Sequence, residues 1–458
     1  MARRERGICE LYQSDPERAD RLVFGRLPEA DRRGFLKGAG LAAMGAIVGG
    51  AIPFHRDMPA GLIPAALAEE KEAFRIEGKE GLVVLNDRPL NAETPAHLLD
   101  DAITPADRHF VRNNGLVPEM ATKGDAAGWK LTVDGEVDRP LTLTLDDLKT
   151  KFRPVNLALQ LECGGNGRAG FNPPASGNQW TVGAVGNAVW TGVPLRDVLN
   201  AAGVKENAVY TGHYGMDPHL SGDPQKDPLS RGLPIWKAMD PHTLVAFEMN
   251  GQPIPALHGF PVRIVAPGWA GSTSQKWLER IWVRDQVHDG AKMTGKSYRV
   301  PAYPVEPGAN VPDEDFVIIQ SMPVKSVITW PKSGFEVPAD NRMIEVRGHA
   351  WAGDRAVRQM HISYDFGANW VEAELAPPVN PYAWQQWRAR VELPGRGYYE
   401  VWARATDDAG AMQPFAVAWN PRGYLNNAMH RVAIRVPGLG QPQVAETEKE
   451  AKSQGGKE

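Results

Sequence analysis

The sequence predicts an α+β domain followed by an immunoglobulin-like β-sandwich. Its 458 residues are enough for two or three domains, each with a full hydrophobic core. Over residues 93–312, strand patterns and short helix patterns are intermixed, which is typical of an α+β domain. Over residues 313–437, short strand patterns recur at fairly regular spacing between turn residues, as in a sandwich, here without a disulfide pair.

The composition is that of an ordinary soluble globular protein, with 42% hydrophobic residues. The net charge of -4 gives no basis for binding nucleic acid or an anionic membrane surface, so we expect neither as a partner. The 14 tryptophans, 38 prolines and 47 glycines favour turns and short strands over long helices.

Residues 1–68 are predicted to be a twin-arginine signal peptide that directs the protein to the periplasm. A twin-arginine pattern over 31–37 precedes a Gly/Ala-rich apolar stretch over 38–52, and residues 66–68 supply a small-x-small cleavage site. The apolar stretch is too short and too rich in glycine to span a membrane comfortably, so export is favoured over an anchor. We therefore expect no membrane span in the mature protein. The other predicted segments outside the domains are a charged leading segment over 69–92 and a disordered tail over 438–458.

The predicted elements of the first domain end at recognisable turn and capping residues. Residues 129–137 alternate like a strand that ends in an Asp-Gly turn. Residues 141–151 begin as a strand and continue as a short helix, with Thr144 as a candidate N-cap. Gly203 closes a predicted helix over 194–202. The remaining predicted strands are 155–161 and 262–266 in the first domain, and 316–319, 324–328, 343–347, 360–364, 387–391 and 399–405 in the second.

The glycine-rich loop of residues 161–168 carries one cysteine, Cys163. The other cysteine of the sequence, Cys9, lies upstream of the predicted cleavage site, so the mature protein would hold a single unpaired thiol in an oxidising compartment. Glycines on both sides suit a backbone that approaches a bulky ligand closely, and Arg168 would favour the thiolate. The loop therefore indicates a functional cysteine, with a buried and inert one as the alternative.

Seven stretches of the sequence together resemble a known family. They are residues 110–114, 161–168, 179–180, 246–251, 258–263, 276–278 and 419–423. In this order they resemble the sulfite oxidase family of molybdenum enzymes, over roughly residues 85–437. No stretch resembling the cytochrome b5 domain of the animal enzymes precedes them. Within the family, the export signal and residues 296–301 are most similar to the molybdenum subunit of periplasmic sulfane dehydrogenase.

The resemblance implies one molybdenum per chain, held by the dithiolene of one pyranopterin, by oxo groups and by the thiolate of Cys163. A soft thiolate suits a metal that cycles between oxidation states. Arg263 and Lys276 are the natural partners of the pterin phosphate, because they are cations. The full set of cofactor contacts that the resemblance implies is Phe110, Val111, Arg112, Asn113, Asn114, Asp217, His258, Arg263, Ser274, Gln275 and Lys276.

The resemblance also implies a pocket for an anionic sulfur substrate. Arg112, Arg168 and Arg422 would pair with its oxygens, Tyr298 would donate a hydrogen bond or relay a proton, and Trp180 would form an apolar wall. The sequence departs from the animal enzymes in two places. Asn114 replaces a histidine, and Gly167 replaces the first of two arginines, which removes a positive charge and would open the mouth to a substrate attached to a carrier protein.

The implied function is the oxidation of a sulfane sulfur on a carrier-protein cysteine to the sulfonate. Because the sequence has no Cys-x-x-Cys-His haem site, the electrons would pass to a c-type cytochrome subunit, and the chain itself would carry no haem. By resemblance, the second domain pairs two molybdenum subunits into a homodimer within a heterotetramer. Two alternatives stay open: a periplasmic sulfite dehydrogenase acting on free sulfite, and a cofactor-free oxyanion-binding or adhesion protein.

Overall fold

The computed structural model describes residues 74–437 apart from 339 and 341. The predicted signal peptide, the beginning of the predicted leading segment and the predicted tail lie outside the described residues. Within the described part of the chain, no helix is long and apolar enough to cross a membrane.

The first part of the fold is rich in strands and has few, short helices. Strands β1 to β15 are Val83–Asp87, Leu90–Glu93, Val111–Arg112, Leu131–Gly135, Leu141–Leu143, Val155–Glu162, Val185–Pro194, Tyr210–Gly215, Gly232–Pro234, Leu244–Met249, Gln252–Pro253, Arg263–Val265, Leu278–Arg284, Arg299–Pro301 and Phe316–Ile318. Helices α1 to α4 are Glu119–Lys123, Leu145–Thr150, Leu195–Ala202 and Ile235–Ala238.

Two five-stranded sheets form the body of this part. One has the order β11-β10-β7-β6, with β12 also paired to β10, and the other has the order β5-β4-β13-β8-β9. Helix α3 packs its buried face, which includes Val198 and Leu199, into the main hydrophobic core. It ends at Gly203, whose φ of 72° favours glycine, so the predicted helix and its end are confirmed. Thr144 caps α2 as predicted, by accepting from the N–H of Asp147.

Strand β6 delivers the cysteine loop to the interior. It pairs with β7 along its whole length, from Val155 opposite Gly192 to Glu162 opposite Val185. The predicted strand over 155–161 is confirmed, and it continues through Glu162 directly to Cys163. The loop therefore starts from a strand that is buried on its last four residues, which fixes the direction in which the loop leaves the sheet.

The segment that the sequence placed ahead of the first domain contributes strands to it. Strand β1 pairs with β2, and β2 pairs with β3, which carries Arg112. Strand β2 was not predicted from the sequence, because Asn and Glu do not favour buried strands. In the structure, Asn91 is 1% exposed and Glu93 is 4% exposed. Glu93 is stabilised there by Thr181, whose backbone N–H and hydroxyl both donate to its carboxylate.

The second part of the fold is built from strands. Strands β16 to β23 are Lys325–Trp330, Phe335–Glu336, Met343–Trp351, Val357–Ser363, Val371–Leu375, Gln385–Glu392, Gly397–Asp407 and His430–Val436. They pair continuously in the order β16-β18-β21-β20-β19-β22-β23-β17. The predicted strand over 316–319 is present as β15, but it pairs with β14 and stands outside this set. That these strands form an immunoglobulin-like sandwich stays a prediction.

Candidate active site

Cys163 lies directly after β6 and lines a cavity. Its side chain is 4% exposed. Its backbone N–H donates to the carbonyl of Ala184 at 2.9 Å, and its carbonyl accepts from the N–H of Asn166 at 2.9 Å, so the turn is fixed on both sides. The cavity holds about 660 Å³ of empty space, part of it open to solvent. The predicted site residues that line it are Phe110, Arg112, Asn114, Cys163, Asp217, His258, Arg263, Ser274, Gln275, Lys276 and Tyr298.

Arg112, Asn114 and Tyr298 form a hydrogen-bonded group beside Cys163, which we call the tyrosine end of the cavity. Arg112 Nη2 and Asn114 Nδ2 each donate to the Tyr298 hydroxyl at 3.1 Å. Arg112 and Cys163 line the same cavity. Burial opposes charge on both groups, yet Tyr298 and Cys163 raise the pKa of Arg112, and Arg112 and Lys292 lower the pKa of Tyr298. This end is therefore arranged to hold positive charge near the sulfur.

Lys292 supplies a further cation beside Asn114. Its Nζ donates to Asn114 Oδ1 at 2.7 Å, and Arg112 Nη2 donates to the same oxygen at 3.0 Å. Burial lowers the pKa of Lys292 from its ordinary value. A reading of the sequence missed Lys292, because the residue lies in an irregular segment with no motif around it.

Arg231 is a second cation that a reading of the sequence missed. It is fully buried, and its guanidinium lies 5.1 Å from the centre of the Tyr298 ring. Its Nη1 donates to the carbonyl of Lys292 at 3.2 Å, while Nε and Nη2 have no hydrogen-bond partner among the described residues. Tyr424 stacks on Tyr298 at 5.6 Å between ring centres. Both residues come from distant parts of the chain, so only the tertiary structure brings them to Tyr298.

Buried cations without carboxylate partners line the other end of the cavity, which we call the cationic end. Arg263 donates to the carbonyls of His258 at 2.8 Å and Ser274 at 3.0 Å. Lys276 Nζ donates to the carbonyl of Leu257 at 2.9 Å and to the side chain of Asn113. Burial lowers the pKa of Arg263 to about 9, and burial together with Arg263 lowers the pKa of Lys276 well below its usual value.

Burial shifts the pKa of the titratable neighbours of these cations and keeps the two histidines among them neutral. Burial lowers the pKa of His109 to about 3, and burial also lowers the pKa of His258 well below its usual value. The two rings are 5.1 Å apart. Lys79, whose pKa burial lowers to about 8, donates to the carbonyl of His109 at 3.0 Å. Asp217 also lines the cavity, and burial raises its pKa to about 7 despite the attraction of Lys276.

Unpaired polar atoms show what the cationic end can bind. The buried atoms without a partner include Asn113 Nδ2, Asp217 Oδ1, His258 Nε2 and Gln275 Oε1. Such atoms are rare in a folded protein unless something outside the protein completes their hydrogen bonds. Donors, acceptors and cations around one cavity fit the ring edges and phosphate of a pyranopterin, and Cys163 at the same cavity offers a thiolate for its metal. The residues present therefore fit a molybdopterin.

The other predicted site residues lie outside the lining of the cavity. Val111 and Asn113 are buried beside it. Arg168 donates to the carbonyls of Arg422 at 2.8 Å and Asn178 at 2.9 Å, so its guanidinium is committed to the backbone. Arg422 itself reaches only Ser176, at 3.5 Å. Trp180 is fully buried in the core cluster that also contains Cys163. The structure thus joins Arg112 to Tyr298 directly, whereas the guanidinium of Arg168 lies 5.0 Å from the ring of Tyr424, which stacks on Tyr298. The role of Arg168 and Arg422 at the anion pocket stays a prediction.

Gly167 is not among the described residues that line this cavity. It has a φ of 94°, and a side chain there would meet Asn426 at 3.0 Å. The wider mouth expected from the loss of an arginine side chain stays a prediction. The conformation of Gly167 favours glycine because a Cβ would be strained as well as crowded.

Comparison with known proteins identifies the family. The oxidoreductase molybdopterin binding domain matches residues 115–292, and the Mo-co oxidoreductase dimerisation domain matches residues 317–437. Sulfite oxidase of Gallus gallus is 35% identical over 363 residues, covering 77% of this chain and 77% of that protein. Mitochondrial sulfite oxidase of Rattus norvegicus is 36% identical over 374 residues, covering 78% of this chain and 66% of that protein.

A solved structure shares the fold. The sulfane dehydrogenase SoxCD of Paracoccus pantotrophus has a TM-score of 0.63 and is 24% identical, covering 84% of this chain and 99% of that chain. The two domain matches and the sulfite oxidases agree with the cavity chemistry around Cys163. The chain belongs to the sulfite oxidase family and is a molybdenum cofactor-dependent oxidoreductase acting on sulfur compounds.

Proposed function

We propose that the protein oxidises a sulfane sulfur on a carrier-protein cysteine to the sulfonate in the periplasm. Each water-derived oxygen added to the sulfur releases two electrons and two protons. We propose that a c-type cytochrome subunit takes the electrons. The export signal, residues 296–301 and the shared fold with a protein named as a sulfane dehydrogenase support this proposal.

The observation that carries the choice of substrate concerns the three arginines that were predicted to form the pocket. Among the described residues that line the cavity, Arg112 is present, whereas Arg168 and Arg422 are not. A small free dianion must obtain nearly all its binding energy from the pocket, and a charged hydrogen bond contributes about 1.5–3 kcal/mol. A carrier-bound sulfur can bind through surfaces outside the pocket, so it tolerates a cavity that Arg112 lines without Arg168 and Arg422.

The residues have separate tasks in this proposal. Arg263 and Lys276 hold the cofactor phosphate, and Cys163 is the protein ligand of the metal. Molybdopterin, when bound, supplies oxygen-atom transfer and accepts electrons from the sulfur. Arg112 orients the anionic sulfur group, and the Tyr298 hydroxyl can hold or pass on a proton, since Arg112 and Asn114 keep it in place at 3.1 Å.

Oxidation of free sulfite is the second candidate, and one observation favours it. The chicken and rat relatives are both named sulfite oxidases, and the chain covers 77% of the chicken protein. The cofactor-free binding protein is set aside, because the chain belongs to a family of enzymes.

The assembly belongs to the proposal as well. We propose that strands β16–β23 form an immunoglobulin-like sandwich and pair two chains into a homodimer, each chain with one cytochrome subunit. The match of residues 317–437 to a dimerisation domain supports this arrangement.

Steady-state kinetics with two substrates tests the choice. The molybdenum-loaded protein is assayed with cytochrome c as acceptor, on a carrier protein bearing a cysteine persulfide and on free sulfite. We expect kcat/KM for the carrier to exceed that for sulfite by about two orders of magnitude, a difference of roughly 2.7 kcal/mol in transition-state binding. Equal or higher kcat/KM on sulfite would overturn the sulfane proposal in favour of a sulfite dehydrogenase. The unoxidised carrier without persulfide is the control.

A further inference from the structure

A buried ion pair joins the cysteine loop to the second domain. Glu162, the residue before Cys163, is 1% exposed. Its Oε1 lies 3.0 Å from Nζ of Lys325, the first residue of β16, which is 4% exposed. Removing two charges from water is unfavourable unless their remaining hydrogen bonds are satisfied. Whether this buried pair is stable therefore depends on the other hydrogen bonds that Glu162 and Lys325 make.

The pair is part of a larger hydrogen-bond network. Glu162 Oε1 also accepts from Asn166 Nδ2 at 2.9 Å, and Glu162 Oε2 accepts from Trp351 Nε1 of β18 at 2.7 Å. Lys325 Nζ donates in addition to the carbonyl of Asn166 at 2.9 Å. Residues 162 and 166, which lie on either side of Cys163 within the loop, are thus both held by side chains of the second domain. A satisfied buried network of this kind is rigid.

The backbone of the loop leaves Cys163 little freedom between these two anchors. Asn166 N–H donates to the Cys163 carbonyl at 2.9 Å, and Asn166 Oδ1 accepts from the N–H of Ala184 at 3.1 Å. Asn166 therefore contacts Glu162, Lys325 and the Cys163 backbone at once. A displacement of Lys325 would therefore shift Asn166 and, through it, the backbone of Cys163.

A second buried lysine joins the same two parts of the fold away from the loop. Lys237 of α4 is fully buried, and its Nζ lies 2.7 Å from Asp354 Oδ1 and 3.0 Å from the Tyr382 hydroxyl. None of its hydrogen-bond partners belongs to residues 161–168. It matches Lys325 in charge and burial, but not in contact with the cysteine, so it is a natural control.

We propose that Lys325 and Glu162 are positioning residues through which the second domain fixes Cys163 as the metal ligand. The proposal rests on the proposed role of Cys163 at the metal. Metal sites tolerate only small errors in the placement of their ligands, and the residues that orient a ligand typically change metal affinity or activity 10–100-fold when they are lost. The domain matched as a dimerisation domain would then also contribute to the active site.

The test compares Lys325→Met with Lys237→Met in the full-length, molybdenum-loaded protein. The measurements are molybdenum per chain and the electron paramagnetic resonance spectrum of the partly reduced metal. We expect Lys325→Met to shift or split the spectrum, or to retain the metal roughly tenfold less well. We expect Lys237→Met to keep the wild-type spectrum and metal content and to lower only the melting temperature. A wild-type spectrum and metal content in Lys325→Met, or the same change in both variants, would overturn the proposal.

Two further variants keep the test decisive. If Lys325→Met does not fold, Trp351→Phe removes one hydrogen bond to Glu162 without leaving a charge unpaired, and an unchanged spectrum in Trp351→Phe overturns the proposal. Cys163→Ser separates the positioning role of Lys325 and Glu162 from the proposed role of Cys163 as the metal ligand, on which it rests. An unchanged spectrum in Cys163→Ser would remove Cys163 from the metal and the proposal with it. A changed spectrum in Cys163→Ser beside an unchanged one in Lys325→Met would overturn the positioning role alone.

Discussion

The two ends of the cavity differ in whether their polar groups are satisfied within the protein. At the tyrosine end, the Tyr298 hydroxyl has two donors at 3.1 Å, and Asn114 accepts from Lys292 at 2.7 Å. At the cationic end, His258 Nε2 and Gln275 Oε1 are buried without a partner. Among the described residues, the side chains that line the cavity at the tyrosine end are thus paired within the protein, and the unpaired Nε and Nη2 of Arg231 lie outside that lining. At the cationic end, atoms of the lining itself need a partner from outside the protein.

This difference indicates two kinds of ligand. Unpaired buried groups cost free energy whenever their ligand is absent, so such a site suits a cofactor that binds once and stays. A self-satisfied group can form before the substrate arrives and needs no reorganisation when it binds, which suits a ligand that is exchanged at every turnover. The cationic end therefore fits permanent binding of molybdopterin, and the tyrosine end fits transient binding of an anionic sulfur.

Removing a cation from the cationic end should have the largest effect. Lys276→Met deletes a charge that faces the proposed cofactor phosphate, and a charged hydrogen bond contributes about 1.5–3 kcal/mol, so we expect about 10–100-fold weaker cofactor retention. Molybdenum analysis and pterin fluorescence of the purified protein measure it. Lys292→Met, a lysine lost from the tyrosine end, is the matched control and should keep its cofactor. Equal losses in the two variants would contradict the division of the cavity into two ends.

A change at the tyrosine end should act on turnover instead. Tyr298→Phe removes the hydroxyl that Arg112 and Asn114 hold, while the ring can still pack against Arg231 and Tyr424. We expect kcat to fall about tenfold, the effect of losing one hydrogen bond in the transition state, with a wild-type content of molybdenum and pterin. Stopped-flow reduction of the loaded enzyme gives the rate. Loss of cofactor in this variant would show that Tyr298 serves the permanent ligand and not the substrate.

The sequence predicted the parts of the site that depend on local pattern. Gly203 ends α3, Thr144 caps α2, and β6 leads directly to Cys163, because turn, cap and strand signals act over a few residues. The meeting of Arg112 and Tyr298, which are 186 residues apart, followed from the family resemblance and could not have come from local pattern.

What escaped prediction depends on tertiary contacts of polar residues. Strand β2 is buried through Asn91 and Glu93, whose partners lie elsewhere in the chain. Arg231 carries no motif, and its position against Tyr298 exists only in the folded protein. The motif around Arg168 did not indicate that its Nε and Nη1 donate to the carbonyls of Arg422 and Asn178, and its predicted substrate contact stays a prediction. A motif gives the residue type at a position, while the direction of a long side chain is decided by the acceptors it meets.

The smallest expected effect is on stability and tests whether the cationic end is incomplete without its cofactor. Burial raises the pKa of Asp217 to about 7, whereas an unfolded aspartate titrates near 3.9. The folded state therefore binds a proton that the unfolded state releases, so this group's contribution to stability is full below about pH 4 and is lost as the pH rises towards 7. Asp217→Asn removes the charge, so the cofactor-free variant should be more stable than the cofactor-free wild type at pH 8, by on the order of 1 kcal/mol or more, and no more stable at pH 4.

Urea unfolding of both cofactor-free proteins at the two pH values measures the difference. Asp134→Asn is the matched control, because Asp134 is partly exposed and pairs with Arg280 at 3.0 Å, and its loss should not stabilise the protein at pH 8. The same comparison on the loaded proteins sharpens the contrast between the two ends. If Asp217 Oδ1 obtains its missing partner from the cofactor, the stabilising effect of Asp217→Asn at pH 8 should shrink or reverse on loading. An unchanged gain after loading would mean that the cofactor leaves Asp217 as unpaired as before, and that the cationic end is not completed by it.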